Sequence, residues 1–433
     1  SAIAQCLVGS EMCIRDSMTG VWGTVTILIR HIATNTTRIF RVEVIPVVED
    51  TSEKFTAPKV TYGSASNGAA YAVALKSDGT VWTWGANGSG QLGDGTSGSG
   101  AYEYTPVQVR GVGGSGFLSN IVAVAAGHEF SLALDAEGNI YAWGAGSLGQ
   151  LGNGAASNSA YPVKVSTSNG VKFVRIDAGY GHALALASDG TVWAWGDNSQ
   201  SQLGTKERVA RSNVPVRVDK GGVVNDVQTY RDTYLTGVVD VAAGNGWSMA
   251  LMADGTVWTW GAMYVDGAWN TNVGDTDRTA ANQELHLAGE AQSTINMNTT
   301  DATGTRQRVP QPVRKYTGES EDYLGVYLDQ VLEIAGGADA NHALLLSAHG
   351  TYAESGAVTD AVYGIGDNAS GQINPSGASA ATRPIPAPAD LFGERDAGEK
   401  IVALAVGGAR SAAMTSAGYV YQWGGGADGS ENN

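Results

Sequence analysis

The segment GYGHALALASDGTVWAWG, residues 179–196, decides the fold of this chain because variants of it recur along the sequence. Each copy runs from a glycine to a Trp-Gly pair or its equivalent. A unit repeated in this way cannot bury its apolar face alone and packs against its neighbours. The other copies span residues 68–85, 127–144, 244–261, 336–366 and 407–424, of which the 336–366 copy is longer and has no tryptophan.

The unit predicts two β-strands joined by a tight turn. Leu184 and Leu186 lie two positions apart with alanine between them, which is the period of a strand. The Asp-Gly pair at 189–190 suits a two-residue hairpin turn, where positive φ angles are needed. Trp193 and Trp195 are again two apart, so they share one face of the second strand. We interpret tryptophans at this repeated place as packing elements between units.

Two further strands complete each unit. One begins with a Pro-Val pair, as at 162–163, where a missing N–H donor is tolerated at the first residue of a strand. The other leads into the next glycine, as at residues 174–178. Four short antiparallel strands per repeat predict the blade of a β-propeller. A rod-like solenoid of the same units is the alternative.

The repeats also carry a wider set of shared residues. Ala-Ala-Gly is followed by an aromatic residue or His, then by Ser-Leu-Ala-Leu, Asp-Gly-Thr-Val-Trp-x-Trp-Gly and Gln-Leu-Gly, the last at 91–93, 150–152 and 202–204. This combination resembles the RCC1 (regulator of chromosome condensation) repeat family over roughly residues 60–424. The resemblance implies a propeller of seven blades. Because the chain has six repeat starts, we expect an all-β, RCC1-type propeller of four-stranded blades whose ring is incomplete.

The sequence before the repeats divides into three parts. Residues 1–17, which contain both cysteines, show no periodicity and no signal-peptide pattern, so we interpret them as a non-native leader. Residues 18–48 alternate apolar and polar side chains around a Thr-rich turn, which predicts the last hairpin of an Ig-like β-sandwich. Residues 49–59 are a predicted linker, and 60–433 are the propeller, which we expect to be truncated at its C-terminus.

Composition narrows the function classes. With 60 glycines and 43% apolar residues, the chain suits turn-dense all-β structure. Its formal net charge is −16, whereas phosphate backbones demand a basic face, so we expect no nucleic-acid partner. No segment is long enough to span a membrane as an apolar helix. We predict no metal and no cofactor, because the Asp-Gly turns lack the dense carboxylates of a calcium site.

Candidate catalytic residues do not survive comparison between repeats. His182 and His342 occupy the same place in their repeats, and a metal ligand at this place could not be exchanged for Phe or Trp. We therefore interpret the place as a packing position with an occasional polar tip, and we predict that the chain is not an enzyme. The other repeats have Tyr71, Phe130, Trp247 and Arg410 there.

The segments that break the repeat are the predicted sites. The fourth repeat has about 30 extra residues over 262–308, and loops of that length are uncommon unless they are functional or disordered. A smaller excess covers 219–236, and the fifth hairpin is lengthened around 354–360. We expect these three breaks on one side of the ring. The candidate partner-binding residues are Tyr264, Asp266, Trp269, Asp275, Asp277, Tyr230 and Tyr234.

Two functional classes follow from this sequence. The first is a non-catalytic, adhesive or protein-binding module of a multidomain bacterial surface or secreted protein, with a protein or surface glycan as partner. The second, implied by the resemblance, is an RCC1-like guanine-nucleotide exchange factor or regulatory scaffold in the cytoplasm. We favour the first, because the chain has no basic tail and no residues that match an exchange wedge.

Overall fold

The computed structural model shows an all-β protein with almost no helix. Antiparallel sheets form the framework of the described residues, in which the one-turn helices Val112–Gly114 and Ala389–Phe392 are short connections. The described residues are 23–31, 36–44, 59–66, 68–167, 170–205, 209–220, 234–265, 268–270, 307–313, 328, 330–348, 361–375, 381–386, 389–392 and 399–425.

Six sheets follow one another along the chain, and we call each a blade. The first blade contains β3 (Lys59–Ser64), β4 (Ala70–Leu75), β5 (Val81–Ala86) and β6 (Tyr102–Gln108). The second contains β7 (Ile121–Ala126), β8 (Phe130–Asp135), β9 (Ile140–Gly144) and β10 (Ser159–Lys164). The third contains β11 (Phe173–Ala178), β12 (His182–Ala187), β13 (Val192–Asp197) and β14 (Arg211–Arg217).

The remaining blades repeat this order with two departures. The fourth contains β15 (Val238–Ala243), β16 (Trp247–Met252), β17 (Val257–Gly261) and β20 (Gln307–Pro312), with a small separate hairpin, β18 (Met263–Val265) and β19 (Ala268–Asn270), between its last two strands. The fifth contains β21 (Val331–Ala335), β22 (His342–Ser347), β23 (Ala361–Gly366) and β24 (Ala381–Pro386). The sixth has three described strands, β25 (Ile401–Gly407), β26 (Arg410–Thr415) and β27 (Val420–Gly424).

The blades stand side by side around an axis. Each blade pairs its strands in chain order, and neighbouring blades contact through their innermost strands, from the first blade to the sixth. The ring is not closed between the sixth and the first blade. This confirms the predicted architecture, including the incomplete ring, and overturns the solenoid alternative.

The strand order gives the ring two different ends. Because consecutive strands are antiparallel, the turn after each innermost strand and the loop after each third strand lie at one end, which we call the turn face. The turn at residues 127–129 lies there. The Asp-Gly hairpins, such as 189–190, and the connections between blades lie at the other end, which we call the hairpin face.

The predicted N-terminal hairpin is present. β1 (Gly23–His31) pairs with β2 (Thr36–Val44) in an antiparallel register that runs from Gly23 opposite Val44 to His31 opposite Thr36. Its assignment to an Ig-like sandwich stays a prediction, as do the leader and the linker, which lie outside the described residues except for Lys59 at the start of β3. Among the described residues, no helix is long and apolar enough to cross a membrane.

A tryptophan joins each of the second, third and fourth blades to the blade before it. Trp143, Trp195 and Trp260 are buried, and their indole N–H groups donate hydrogen bonds to backbone carbonyls of the preceding blade. The three N···O distances are each 2.8 Å. The interpretation of these residues as packing elements is confirmed. The acceptors are the carbonyl oxygens of Gln91, Gln150 and Gln202, respectively.

The Gln-Leu-Gly motif shapes the loop that receives this tryptophan. The side-chain oxygen of Gln91 accepts a hydrogen bond from the backbone N–H of Ser89 at 2.8 Å. The main-chain carbonyl of Gln91 faces the next blade, where it accepts the hydrogen bond from Trp143. Leu92 is fully buried beneath the loop. Gly93 has φ +67°, and a Cβ there would lie 2.8 Å from the Trp143 ring. Only glycine allows both the backbone angle and the close approach of the indole.

His182 and His342 occupy the same position at the start of the second strand of their blades, which we call the slot. The side chain in the slot contacts a small residue of the next blade. The imidazole Nε2 of His182 lies 2.9 Å from Ser248 Oγ, which itself donates to the Gln202 carbonyl, so Nε2 carries the proton. His342 makes the same contact with Ser411 at 2.8 Å. In both histidines burial lowers the pKa, to about 3 for His182 and about 4 for His342, so both are neutral.

Apolar residues in the same slot face alanine instead of serine. Phe130 packs in one buried cluster with Ala183 of the third blade, and Trp247 does so with Ala343 of the fifth. Serine and alanine therefore alternate at the facing position from one blade interface to the next, and the Trp247 indole N–H also donates a hydrogen bond to the Ala340 carbonyl of the fifth blade at 2.8 Å. The prediction of a packing position with an occasional polar tip describes this slot.

Candidate functional site

The turns between the first and second strands of the blades converge on the axis at the turn face. They differ in length. In the second blade the turn is flanked by the paired residues Ala125 and Leu132, seven positions apart, whereas in the fifth the pair Ala335 and Leu344 is nine positions apart. The turn of the first blade is longer still. These longer turns carry polar side chains toward the axis.

His128 is the centre of the resulting cluster, which we call the His128 cluster. Its Nδ1 lies 2.8 Å from Ser64 Oγ of the first blade and 3.4 Å from an Asp339 carboxylate oxygen of the fifth. Its Nε2 lies 3.3 Å from Ser66 Oγ. The Tyr180 ring of the third blade stacks on the imidazole, with centroids 4.0 Å apart and planes at 15°. One side chain of the second blade thus contacts three other blades.

Two carboxylates give the cluster its charge. Burial raises the pKa of Glu129, but hydrogen bonds from Ser66 and from Ser89 Oγ outweigh that effect, and the pKa lies below its usual range. Burial acts in the same direction on Asp339, and hydrogen bonds from His128 and its neighbouring serine again lower the pKa. Both groups are therefore ionised at neutral pH.

Backbone hydrogen bonds tie the same turns together from blade to blade. Each has an N–H of one turn donating to a carbonyl of the neighbouring blade, at 2.9 to 3.2 Å. The turn face is therefore a set of linked turns and not separate loops. The pairs are Glu129 N to Ser64 O, Tyr180 N to Gly244 O, and Asn245 N to Ala340 O.

Carboxylates also line the axis below the cluster. Asp177 accepts a hydrogen bond from the backbone N–H of Ala243 in the next blade at 2.7 Å, and Glu333 accepts one from Leu404 at 3.1 Å. Burial raises the pKa of Asp177 to about 6. These hydrogen bonds connect the innermost strands of successive blades. The carboxylates along the axis therefore belong to the scaffold that supports the turn face.

The cluster contains Ser, His and Asp, but its electrostatics do not suit acyl transfer. Ser66 Oγ lies near His128 Nε2, and Asp339 near Nδ1, as in a catalytic triad. A tetrahedral intermediate, however, needs hydrogen-bond donors around its oxyanion. The Ser66 N–H donates instead to the Glu129 carboxylate at 2.9 Å, which places a negative charge beside the hydroxyl. The arrangement suits recognition of polar or basic groups.

Among the described residues, no cluster of His, Cys, Asp and Glu could hold a metal ion.

The predicted site residues lie at two different ends of the ring. Tyr264 and Trp269 are paired residues of β18 and β19, the hairpin that follows β17 at the turn face. Tyr234 is 42% exposed, bridges Asp219, and stacks its ring under the Arg217 guanidinium at 5.1 Å.

Tyr234 belongs to the connection between the third and fourth blades, on the hairpin face. The strands that flank the three breaks belong to the third, fourth and fifth blades, which are neighbours in the ring, and the breaks follow strands that end at both faces. Asp266, Asp275, Asp277 and Tyr230 lie outside the described residues.

Sequence reasoning found His128 without a role and missed its partners. Ser64, Tyr180 and Asp339 are far apart in the chain. Ser64 is the last residue of β3, and Tyr180 and Asp339 lie in turns that the repeat pattern treats as spacers. One signal was available: the two extra residues in the turn that carries Asp339, compared with the second, third and fourth repeats.

Comparison with known proteins identifies the family. The sequence matches the RCC1-like domain family over residues 43–267, more than half of the chain. The chain belongs to that family. The resemblance read from the repeats is therefore confirmed, and so is the propeller fold that it implied.

Curated relatives match different shares of the chain. Human "E3 ubiquitin-protein ligase HERC2" is 32% identical over 191 residues, which are 44% of this chain and 4% of that protein. "Ultraviolet-B receptor UVR8" of Arabidopsis thaliana is 27% identical over 405 residues, which are 87% of this chain and 80% of that protein. The matched residues thus span a small part of the HERC2 ligase and most of UVR8.

Solved structures share the fold at low identity. Human WBSCR16 has a TM-score of 0.57 at 20% identity, covering 89% of this chain and 78% of that one. Prp20p of Saccharomyces cerevisiae has a TM-score of 0.52 at 20% identity, covering 82% of this chain and 69% of that one. At such identity the likeness establishes the RCC1-type propeller and nothing about partners.

Proposed function

We propose that this RCC1-like propeller is a non-catalytic protein-binding module and that its partner docks on the turn face. The observation that carries the proposal is the His128 cluster, in which polar residues from four blades meet at the axis on turns tied by backbone hydrogen bonds. Such a rigid scaffold can present neighbouring loops without changing its own packing.

The chemistry of the face favours a basic partner surface. Glu129 and Asp339 are ionised, Tyr180 is 40% exposed, and the whole chain has a net charge of −16. Opposite charges raise the rate of encounter and select against acidic partners. The hairpin of Tyr264 and Trp269 leaves the fourth blade at the same face and adds aromatic residues, which are frequent anchors of protein contacts.

A related propeller is described as binding proteins. Prp20p of Saccharomyces cerevisiae binds Gsp1p and histones. This supports protein binding as the class of function here. No feature of the described residues favours nucleotide exchange over binding, so exchange is not proposed. A bacterial surface or secreted location remains our proposal from the sequence.

Site-specific photo-crosslinking tests the assignment of the face. A photoreactive phenylalanine is placed at Tyr180 on the turn face and, as a matched control, at Tyr234 on the hairpin face. Both side chains are similarly exposed, at 40% and 42%. Exposed to extracts of the source organism, the Tyr180 variant should form a discrete protein adduct that the Tyr234 variant does not form. Equal adducts at both positions, or an adduct at Tyr234 alone, would contradict the proposal.

A further inference from the structure

One face of the first blade has the composition of an interface between blades but is exposed, and we call it the free face. Directly paired residues of antiparallel strands lie on the same side of a sheet, so the strand register defines two rows of side chains there. Val60 is 49% and Tyr62 67% exposed, and Ala74 and Trp84 are partly exposed. The rows are Val60, Ala74 and Trp82, and Tyr62, Ala72 and Trp84.

The equivalent rows of the third blade are covered by the blade before it. None of their side chains is more than 8% exposed. They pack against Leu132, Leu134 and Ile140, which belong to the second and third strands of the second blade. The cover in an internal interface is therefore an apolar surface of two paired strands. The buried rows are Ile176, Ala185 and Trp193, and Ala178, Ala183 and Trp195.

The sixth blade of a second copy would be a poor cover for the free face. On the side that points away from the fifth blade, it carries Ala412 and Gln422 where the second blade carries Leu132 and Ala142. Its slot holds Arg410, whereas the facing position of the first blade is an alanine. A charged side chain pays a desolvation cost against such an apolar face. The composition therefore disfavours contact between the open ends of two copies.

The hairpin that precedes the first blade offers a surface of the required kind. β1 and β2 pair Val25 with Val42 and Ile27 with Phe40, so alternation places these four residues on one side of the hairpin. Two apolar cross-strand pairs on two neighbouring strands are also what the second blade presents to the third. A two-stranded hairpin is marginally stable in water by itself, so this side needs a partner.

The connection between the hairpin and the first blade is long enough for them to meet. Residues 45–58 join β2 to β3, and an extended chain of that length reaches about 45 Å. Sheets that pack face to face are only about 10 Å apart. We propose that the β1–β2 hairpin packs on the free face of the first blade, where it takes the place of the second and third strands of a preceding blade.

Hydrogen exchange of the full chain tests this packing. Tyr62→Asp puts a charge into the free face at a position that is 67% exposed, and Tyr104→Asp, at an 86% exposed position of the outer strand of the same blade, is the matched control. The amides of β1 and β2 should exchange roughly tenfold faster in Tyr62→Asp than in the wild type, because an undocked hairpin opens readily. Tyr104→Asp should leave their exchange unchanged. Equal exchange in the wild type and folded Tyr62→Asp would contradict the packing, and is the result expected if the hairpin belongs to a separate sandwich.

A reciprocal pair of variants keeps the test decisive if Tyr62→Asp does not fold. Ile27→Asp changes the proposed contact side of the hairpin, and Thr26→Asp changes the opposite side. The amides of β4 and β5 should exchange about two- to fivefold faster in Ile27→Asp than in Thr26→Asp, because the free face loses its cover. Circular dichroism shows that the blades are folded in each. Equal exchange of β4 and β5 in the two proteins would overturn the proposal.

Photo-crosslinking identifies the occupant of the free face. A photoreactive phenylalanine at Tyr62 should join peptides of residues 23–44 within a single chain, which mass spectrometry of the monomer band shows. An adduct between two chains would assign the face to a second copy and contradict the proposal, as would the lack of any adduct with the hairpin. The free face is a side of the first blade and not part of the turn face. A failed crosslinking experiment at Tyr180 would therefore count against the proposed function and leave this result intact.

Discussion

The third and fourth blades meet through a polar contact, whereas the second and third meet through an apolar one. In the first interface His182 bonds to Ser248, and in the second Phe130 packs with Ala183. The slot is the same, so the residue in it is not selected for chemistry. A polar residue in the slot faces a serine of the next blade, and an apolar residue in the slot faces an alanine. A histidine in a repeat is thus explained by its partner in space, which the single repeat does not show.

The largest expected effect concerns what both interfaces share. Trp195→Ala at the apolar interface and Trp260→Ala at the polar one should each lower the free energy of unfolding by about 3 to 5 kcal/mol, because each removes a buried indole and leaves a cavity. Denaturant unfolding measures both. Trp258→Ala, at a partly buried position of the same strand as Trp260, is the control and should cost less. Wild-type stability in either buried variant would show that the tryptophan does not hold neighbouring blades together.

The next effect separates the two interfaces. Ser248→Ala should cost about 1 to 3 kcal/mol, because the His182 Nε2–H loses its buried acceptor. The double variant His182→Phe with Ser248→Ala copies the apolar pair and should recover most of that loss. Thermal and denaturant unfolding compare the three proteins. A double variant less stable than the single one would break the matching rule.

A pH effect of intermediate size follows from the buried histidine. The pKa of His182 is lowered to about 3, so the folded state keeps it neutral while the unfolded chain takes up a proton below about pH 6.5. Its contribution to stability is complete above that pH and is lost as the pH falls toward 3. Between pH 7 and 5.5 the wild type should lose about 1 kcal/mol relative to the His182→Phe, Ser248→Ala variant.

Comparing two proteins removes a competing titration. Burial raises the pKa of Asp177 to about 6, so that group contributes the opposite sign and stabilises more as the pH falls. It is present in both proteins and cancels in the difference. Parallel stability curves for the two proteins over this pH interval would show that His182 is not the source.

The smallest change in stability is expected at the insertion. Replacing 262–308 by a loop of the length found in the third repeat, with the pairing of β17 and β20 kept, should alter the free energy of unfolding by no more than about 0.5 kcal/mol, because the tryptophan hydrogen bonds between blades are made by residues outside this range. It should abolish binding of the partner identified by crosslinking. Equal recovery of that partner by the shortened protein would show that the insertion does not contribute to recognition.

The fold could be predicted from the sequence because the repeat states it several times. Alternation at Leu184 and Leu186, the Asp-Gly turns and the paired tryptophans each fix a strand or a turn locally. Even the irregular blade was visible: the fourth repeat lacks Gln-Leu-Gly, and the fifth lacks the tryptophan that such a loop would receive. Local patterns of this kind need no long-range contact to be read.

The His128 cluster could not be predicted in the same way. Its members are separated by up to 275 positions, from Ser64 to Asp339, and the repeat pattern assigns a role to none of them. Only the arrangement of the blades around a common axis brings these residues together. The pattern places the strands, and the site depends on the lengths of turns that the pattern leaves free.

The joint between blades is made with a backbone carbonyl, and this bears on how such rings are built and altered. Because the acceptor for Trp195 is the main-chain oxygen of Gln150, and not a particular side chain, a blade can change almost all of its surface and still fit its neighbour. What must be kept in a duplication is the alternation of serine and alanine. Gene rearrangements or engineered chimaeras that move two blades at a time preserve it, whereas moving a single blade would set a polar tip against an apolar one.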